Sequence, residues 1–377
     1  MKKLAIIGAS YLQEPLIRKA KQLGIETHVF AWAVGDVGEK SADHFYPISI
    51  VEKDAVLDKC REIGINGVCS IASDLAAITV NYVASAMGLT GNSLEATQKS
   101  TNKHEMRLAF ERRGDPSPRS YLVEDCDGLE KLELAFPVIV KPTDRSGSRG
   151  IWKLEDRSGL ISAVENSMAA GFEHKALIEE FAEGQEYSVE CVSWQGNHHF
   201  LAMTHKYTTE APHFIETGHL EPAPVDPALL ERVKHVVFHA LDSLELKYGA
   251  SHSELKIDSA GNIRLIEIGG RMGGDFIGSN LVEMSTGVDF VRAVIDTAMG
   301  IEPDLTPIHG PKAAAVRFIF TKEDVAALEH LKQEHPEWLR AWEVSGDLSG
   351  EVTDSSTRHG YFLFGADTPE ELLPYLP

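Results

Sequence analysis

The N-terminal part of the chain alternates between short apolar runs and amphipathic helical patterns, and this alternation restricts the fold more than any other feature. Residues 4–7 are an apolar run that ends at Gly8, a helical pattern with leucine or alanine at 12, 16, 20 and 23 follows, and residues 25–30 are typical of a second strand. Strands and helices that alternate at this spacing favour parallel β-α-β units. We therefore predict a parallel, Rossmann-like sheet covered by helices.

The first strand is not followed by a glycine-rich phosphate loop. Ala9, Ser10 and Tyr11 come directly after Gly8, and the next glycine is Gly24. The dinucleotide-binding fingerprint of such sheets requires glycines at the spacing G-x-G-x-x-G. The architecture is thus expected to be Rossmann-like without an NAD site.

The chain has 377 residues, which is enough for two or three domains. Residues 1–98 are predicted to be the Rossmann-like domain. Short strands dominate the following part, and the apolar residues of 227–246 indicate a long amphipathic helix. We predict a central domain at 99–300 and a small α+β domain at 301–377, so the fold class is α/β.

Charge and cysteine content exclude several classes of protein. There are 36 basic and 57 acidic side chains, a formal net charge of −21. Such an acidic surface repels nucleic acids and anionic membranes. The four cysteines form no C-x-x-C pair, so neither a disulfide framework nor a thiolate zinc site is indicated. With no apolar run long enough to cross a bilayer and no signal-peptide pattern, we expect a cytoplasmic protein.

The first motif that carries chemistry spans residues 136–150. An apolar strand ends at Lys141, and the segment Arg145-Ser-Gly-Ser-Arg-Gly150 follows. A flexible loop of this composition can direct backbone N–H groups toward phosphate oxygens, while the lysine supplies positive charge. Because the chain has no Gly-Lys pair, it contains no P-loop of the G-x-x-x-x-G-K type. Taken alone, the motif is equally compatible with an ordinary surface turn.

The second motif is a strand that ends in Glu179 and Glu180, followed by Gly184 and a strand that carries Glu186 and Glu190. Acidic residues that alternate along a strand usually form a solvated face. By itself this motif favours that interpretation.

The third motif is the most informative. Glu254 and Glu267 lie on two strands that the turn 258–262 joins into a hairpin, so their carboxylates can meet at one point. Glu267 lies within the apolar run 265–268. Two inward carboxylates repel each other and lose hydration unless a divalent cation lies between them. The pair therefore predicts a metal site.

In their order along the chain, these motifs and the upstream Lys103 resemble the ATP-grasp superfamily, in particular its biotin-carboxylase and carbamoyl-phosphate-synthase-like branch. The resemblance covers about residues 1–300, and the tail is similar to the small C-terminal domain of that branch. It implies an ATP-grasp core with a mobile lid at about 127–185.

The resemblance also implies a role for each motif. The lysines, the loop and the acidic segment would contact ATP, and two glutamates would hold Mg²⁺ or Mn²⁺. The implied nucleotide contacts are Lys103, Lys141, Ser146, Gly147, Ser148, Arg149, Gly150, Glu179, Glu180, Phe181, Ala182 and Glu186, and the implied metal ligands are Glu254 and Glu267. One position departs from the pattern, because Gly269 replaces an asparagine that would offer a further oxygen ligand.

The segment 211–219 and the sequence Glu267-Ile-Gly-Gly-Arg271 are similar to the L-amino-acid ligase, or dipeptide synthase, group of the superfamily. The resemblance implies catalytic roles for Glu216, His219 and Arg271. Glu216 would bind an ammonium group, Arg271 a carboxylate or an oxyanion, and His219 would orient or deprotonate the substrate. The alternative is a substrate that lies against the N-terminal domain near Ser10, Tyr11 and Asp74.

The resemblance thus implies an ATP-dependent carboxylate–amine ligase that acts through an acyl-phosphate and releases ADP and phosphate. Its substrates would be small molecules, ATP and amino acids, and a homodimer is compatible with the sequence. A carbamoyl-phosphate-synthase-like or ribonucleotide-ligase-type enzyme is the alternative within the superfamily. A non-catalytic ATP-binding regulatory protein is the alternative of another class.

Overall fold

The computed structural model describes residues 1–145, 147, 149–209 and 214–377. The N-terminal part is a parallel sheet with helices around it, as predicted. Its described strands are β1 (Lys3–Ile7), β2 (Glu26–Phe30), β3 (His44–Tyr46) and β4 (Gly67–Cys69), in the order β3-β2-β1-β4. Its helices are α1 (Glu14–Gln22), α2 (Val37–Ser41), α3 (Lys53–Ile63) and α4 (Asp74–Met87). Because the strands are parallel, their carboxyl ends meet at one edge, where α4 begins.

Two consecutive helices, α5 (Leu94–Thr101) and α6 (Lys103–Arg113), lead into the second sheet. Asn102 separates them because its side-chain oxygen accepts hydrogen bonds from the backbone N–H groups of His104 and Glu105, which starts a new helix. Lys103 therefore occupies the first turn of α6. The second sheet consists of β5 (Ser120–Val123), β6 (Val138–Pro142), β7 (Trp152–Leu154) and β8 (Ala176–Glu180), in the order β5-β8-β6-β7, and α7 (Leu160–Ala170) packs against it.

The largest sheet in the described part of the chain is antiparallel and has the order β13-β12-β9-β10-β11-β14-β16-β15. Its strands are β9 (Gln185–Trp194), β10 (Asn197–Thr208), β11 (Glu216–Glu221), β12 (Gly249–Ile257), β13 (Ile263–Gly269), β14 (Ala313–Phe318), β15 (Leu339–Val344) and β16 (Gly360–Ala366). The associated helices are α8 (Pro227–Ser243), α9 (Val282–Thr286), α10 (Phe290–Ala298), α11 (Lys322–Glu334) and α12 (Pro369–Leu372).

The two faces of this central sheet differ in chemistry. Val189 and Cys191 on β9 and Leu255 on β12 are fully buried and belong to the core that includes Val233 and Val237 of α8. Side chains alternate across a strand, so the intervening residues point to the opposite face. Those residues include serine, histidine and several glutamates. The alternation thus collects acidic side chains on one buried face.

The predicted division at residues 98 and 300 remains a prediction, but the sheet is continuous across the second boundary. Strand β14 pairs with β11 through residues 314–317, and β16 and β15 follow outward. The C-terminal α+β part therefore extends the central sheet. No helix in the described ranges is both long and apolar enough to cross a lipid bilayer.

Gly184 fixes the turn between the second and the central sheet. Its φ angle is +112°, and a Cβ atom there would lie 2.2 Å from the carbonyl oxygen of Ile257. A side chain would have to displace the end of β12, because this contact is far shorter than a van der Waals distance. Gly128 also has a positive φ, +80°, but nothing lies within 4 Å of its hypothetical Cβ.

We expect Gly184→Ala to lower the free energy of unfolding by at least about 2 kcal/mol, because it combines backbone strain with a steric conflict. Gly128→Ala is the matched control. It should lower the free energy of unfolding by only about 1 kcal/mol, because it strains the left-handed backbone without a steric conflict. Urea unfolding followed by tryptophan fluorescence measures both. Equal losses in the two variants would contradict the steric role assigned to Gly184.

Candidate active site

A cavity lies between the second sheet and the acidic face of the central sheet. Strands β6 and β8 form one wall, and β9, β10, β12 and β13 form the other. The described residues that line it include twelve of the predicted site residues, namely Lys103, Lys141, Gly147, Glu179, Glu180, Phe181, Ala182, Glu186, Glu216, Glu254, Glu267 and Arg271. Motifs that are far apart in the sequence are thus brought together.

Glu254 and Glu267 lie directly opposite each other in the register of β12 and β13. Each carboxylate is paired with a lysine: Glu254 lies 2.7 Å from Lys206 Nζ, and Glu267 lies 2.8 Å from Lys103 Nζ. Burial opposes ionisation of Glu254, but Lys206 and His252 hold its pKa well below the usual range. Two facing carboxylates in one cavity are a donor set that suits Mg²⁺ or Mn²⁺, so the residues present fit the implied metal.

Lys206 lies at the centre of the acidic face and was not predicted from the sequence. Its Nζ is 2.7 Å from Glu254, 2.9 Å from Glu186 and 3.6 Å from Glu216. Although burial disfavours the charged amine, the three carboxylates raise the pKa of Lys206 well above its ordinary value. The sequence did contain a signal for Lys206, namely a lysine within a strand that is otherwise about half apolar. It indicates a buried acidic partner, because an unpaired buried charge is too costly.

A second charge cluster joins the two walls of the cavity. Glu179 lies 2.6 Å from Lys141 Nζ and 2.8 Å from Arg107 Nε, and Arg107 Nη2 also donates to the carbonyl oxygen of Ile266 at 2.6 Å. Burial lowers the pKa of Lys141, and the two cations keep the pKa of Glu179 low despite its burial. The Glu179 carboxylate is therefore engaged by protein groups. Arg107 lies on α6, and the sequence pattern of that helix gave no reason to select Arg107 as a site residue.

Arg271 contacts the N-terminal domain. Its Nε and Nη2 lie 2.8 and 3.2 Å from the two carboxylate oxygens of Asp74, in the first turn of α4. A Cβ on Gly269 would lie 2.8 Å from Asp74 Oδ1 and 3.1 Å from Arg271 Nε. An asparagine at 269 would collide with this ion pair. The departure from the superfamily pattern thus has a steric reason in this chain.

Next to Glu254, His252 contacts the fully buried Glu190, and its other ring nitrogen lies 3.3 Å from Glu254. Burial disfavours the imidazolium, but Glu190 outweighs it and raises the pKa of His252 to about 9. The backbone N–H of Gly273 donates to Glu190 at 3.0 Å, and a Cβ at 273 would lie 2.6 Å from that carboxylate. Glu190 is thus a buried support rather than part of a solvated strand face.

Glu216 and His219 are brought onto one face by a β-bulge. Tyr207 pairs with Gly218, but Thr208 pairs with Glu216, so the strand gains one residue and both side chains share the face of Lys206. Glu216 lines the cavity, whereas His219 is fully buried with its ring edge against Phe318. Burial, Lys206 and Arg358 hold the pKa of His219 well below its usual range. The imidazole is therefore neutral, and its predicted catalytic role remains a prediction.

Arg358, in the C-terminal part, pairs with Glu216 of this wall and was missed by sequence reasoning. Its guanidinium lies 2.9 Å from Glu216 and 2.8 Å from Asp275, and it covers the ring of Phe318 at 3.8 Å from the centroid. Only 6% of its side chain is exposed. No local motif surrounds it, and it meets Glu216 across 142 residues of sequence.

The predicted phosphate loop is described in part. Ser146 and Ser148 lie outside the described residues, as do positions 210–213 before Glu216. Gly147 lines the main cavity, whereas Arg149 lines an adjoining one, and Gly150 accepts a hydrogen bond from Ser167 through its carbonyl oxygen. Lys103 Nζ donates to the carbonyl oxygen of Arg145 at 2.7 Å, which links the start of the loop to α6.

Residues 134–279 match the ATP-grasp domain family. Among curated relatives is the alanine–anticapsin ligase of Bacillus subtilis, which is 26% identical over 306 residues. That match covers 72% of this chain and 64% of the relative, so the chain spans less than two thirds of that protein's length.

Solved structures extend the likeness to the whole chain. The L-amino acid ligase from Bacillus licheniformis superposes with a TM-score of 0.85 at 22% identity, covering 100% of this chain and 96% of that one. The biotin carboxylase domain of the Hydrogenobacter thermophilus 2-oxoglutarate carboxylase, crystallised with magnesium ADP, gives 0.76 at 18% identity, covering 97% and 86%. At such identities these structures establish the fold. The family match identifies an ATP-grasp domain at residues 134–279, and the solved structures show that the chain as a whole has the fold of the ATP-grasp ligases.

Proposed function

We propose that this protein is an ATP-dependent ligase that joins the carboxylate of an amino acid to the amine of a second amino acid or another amine. The carboxylate would be activated as an acyl-phosphate, and the products would be ADP, phosphate and an amide. One observation carries the proposal: the facing carboxylates Glu254 and Glu267 share a cavity with Lys103 and Lys141. Relatives that are named as amino-acid ligases support the substrate class.

The residues of the chain divide into two functional groups. Lys103 and Lys141 supply positive charge beside the region where Glu254 and Glu267 would hold Mg²⁺ or Mn²⁺. The metal, when bound, screens phosphate charge and polarises the phosphoryl group. The segment 180–182, next to the engaged carboxylate of Glu179, offers main-chain groups to the base of the nucleotide, and Glu186 offers a carboxylate to its ribose.

The second group would bind the substrates that are joined. Glu216 offers a negative charge to an ammonium group, while Arg271 and Arg358 offer guanidinium groups to a carboxylate or to the oxyanion of the tetrahedral intermediate. All three side chains are already paired, with Arg358, Asp74 and Glu216 respectively. The second sheet covers the cavity and restricts water, which protects an acyl-phosphate from hydrolysis.

The direct test is a phosphate-release screen with ATP and Mg²⁺ over all amino acids, singly and in pairs, followed by mass spectrometry of the products. A ligase of this type releases phosphate only when its amino acids are present and forms a peptide or amide. A nucleotide-binding regulatory protein would show no amino-acid-dependent turnover, and that result would overturn the proposal.

We expect ADP, not AMP, as the nucleotide product. The lysines and the carboxylate pair are suited to transfer of the terminal phosphoryl group. Chromatography of the reaction mixture identifies the nucleotide. Stoichiometric pyrophosphate would show that the carboxylate is activated as an adenylate instead.

Glu267→Gln should reduce turnover at least about 100-fold, because a neutral amide is a poor ligand for a hard divalent cation. The amide can still accept a hydrogen bond from Lys103, so the unfolding midpoint should stay close to that of the wild type. Glu231→Gln on the exposed side of α8 is the matched control and should leave turnover unchanged. Near-normal turnover of the Glu267 variant in Mg²⁺ would contradict its assignment as a metal ligand.

Glu216→Gln should raise the KM for the amine-contributing amino acid about 10–100-fold while leaving the KM for ATP nearly unchanged. The estimate is below that for a fully buried ion pair because Glu216 is 19% exposed. Asp74→Asn is the comparison on the opposite wall. If Asp74→Asn alone raised this KM, the substrate would lie against the N-terminal domain instead.

A further inference from the structure

A cluster of two histidines and one glutamate lies at the amino-terminal ends of β2 and β3. This is the edge of the N-terminal sheet opposite the one where α4 delivers Asp74 to Arg271. The cluster consists of Glu26, His28 and His44, and nothing in the proposed ligase reaction uses it.

The strand register brings these three side chains together. His28 and His44 are direct neighbours in the parallel pairing of β2 with β3, and Glu26 lies two residues before His28, so it points to the same face. Glu26 Oε1 is 3.4 Å from His28 Nε2 and 2.9 Å from His44 Nε2. One donor atom from each residue can be chosen so that all three lie within 4.8 Å of one another.

His28 gives the cluster a buried, unused donor atom. The residue is only 3% exposed, and its Nδ1 lies 3.1 Å from the hydroxyl of Tyr46, whereas its Nε2 has no hydrogen-bond partner among the described residues. When Nδ1 donates its proton to the oxygen of Tyr46, the lone pair of Nε2 is available to a metal ion.

We propose that Glu26, His28 and His44 form a binding site for a divalent transition-metal ion of the Zn²⁺ type. Two imidazoles and one carboxylate are a donor set that Zn²⁺ accepts, with a further position left for water or another ligand. Imidazole nitrogen discriminates against Mg²⁺, which prefers oxygen ligands. The site is therefore chemically distinct from the carboxylate pair Glu254 and Glu267.

Binding requires one local movement. The rings of His28 and His44 are stacked, with centroids 4.7 Å apart and planes 13° from parallel. A metal ion lies in the plane of each imidazole that binds it, so one ring has to turn. His44 is the ring that is free to do so, since 49% of its side chain is exposed. The bound ion would then fasten the short edge strand β3 to β2.

The test is a titration of the full-length protein with Zn²⁺ by isothermal calorimetry, in excess Mg²⁺ so that the carboxylate pair is occupied. We expect one Zn²⁺ per chain with a Kd of about 10 μM or lower, near −7 kcal/mol or more favourable by the affinity scale. Co²⁺ bound in place of Zn²⁺ should give a visible absorption band that is typical of low-symmetry coordination. Zn²⁺ should also raise the midpoint of thermal unfolding.

Two variants locate the site. His44→Ala removes an exposed ligand without opening the core and should weaken Zn²⁺ binding at least about 10-fold. His28→Gln should abolish the Co²⁺ band. His330→Ala, which removes an exposed histidine beside Glu334 on α11, is the matched control and should bind as the wild type does.

A wild-type stoichiometry well below one, or unchanged binding in both His28→Gln and His44→Ala, would overturn the proposal. Loss of binding in Glu267→Gln with retention in His44→Ala would assign the ion to the carboxylate pair and would also overturn it. Because these readouts do not involve turnover, they are independent of whether the ligase proposal succeeds.

Discussion

Lys206 is the charge on which the acidic face of the central sheet depends. Three carboxylates from three other strands, Glu186, Glu216 and Glu254, lie within 3.6 Å of its ammonium group. Carboxylates that are partly buried around one point repel each other, because less water is present to screen them. One buried cation reduces that repulsion and at the same time fixes β9, β10, β11 and β12 relative to one another. The apolar face of the same strands can then pack against α8.

Similar pairings connect the remaining parts of the chain to this face. Asp74 joins the N-terminal domain to Arg271, Arg107 joins α6 to Glu179, and Arg358 joins the C-terminal part to Glu216. These contacts span from 72 to 197 residues of sequence. The cavity is thus assembled from all regions of the fold. Some positions beside the ion pairs have no room for a residue larger than glycine. Gly269 and Gly273 are positions where a Cβ would meet an ion pair rather than solvent.

Local patterns in the sequence predicted the parallel N-terminal sheet, the hairpin of β12 and β13 and the opposition of Glu254 and Glu267, because each depends on short-range periodicity or on one turn. The eight-stranded order of the central sheet was not predictable, since the pairing of β11 with β14 joins segments separated by two helical regions. The helices α7 and α10 were also missed. Their amphipathic patterns are short, and tertiary packing rather than propensity stabilises such helices.

Among the residues that line the cavity or pair with its carboxylates, those at the ends of strands or beside glycines were predicted, whereas Arg107, Lys206 and Arg358 were not. The role of each of these three cations becomes clear only from the carboxylate that it pairs with. That carboxylate lies on another helix or strand, so the local sequence does not reveal it. Glu190 was interpreted as part of a solvated strand face, because alternation reports which residues share a face but not whether that face is covered. The bulge between Tyr207 and Thr208 is a further feature of this kind. It depends on the register with the neighbouring strand and places Glu216 where simple alternation would not.

The electrostatic state of the cavity restricts what it can bind. Lys103, Lys141, Lys206, Arg271 and Arg358 each already contact a carboxylate. A ligand that carries only negative charge must compete with those carboxylates and leave them without a partner in a partly buried position, which is unfavourable for each. A ligand that brings both signs can exchange partners instead, so that its cation satisfies the glutamates while its anion takes the lysines and arginines. A nucleotide with its divalent metal is of this kind, and so is a zwitterionic amino acid. The prevalence of ready-made ion pairs thus favours substrates that carry compensating charges, which is the chemistry that an amino-acid ligase requires.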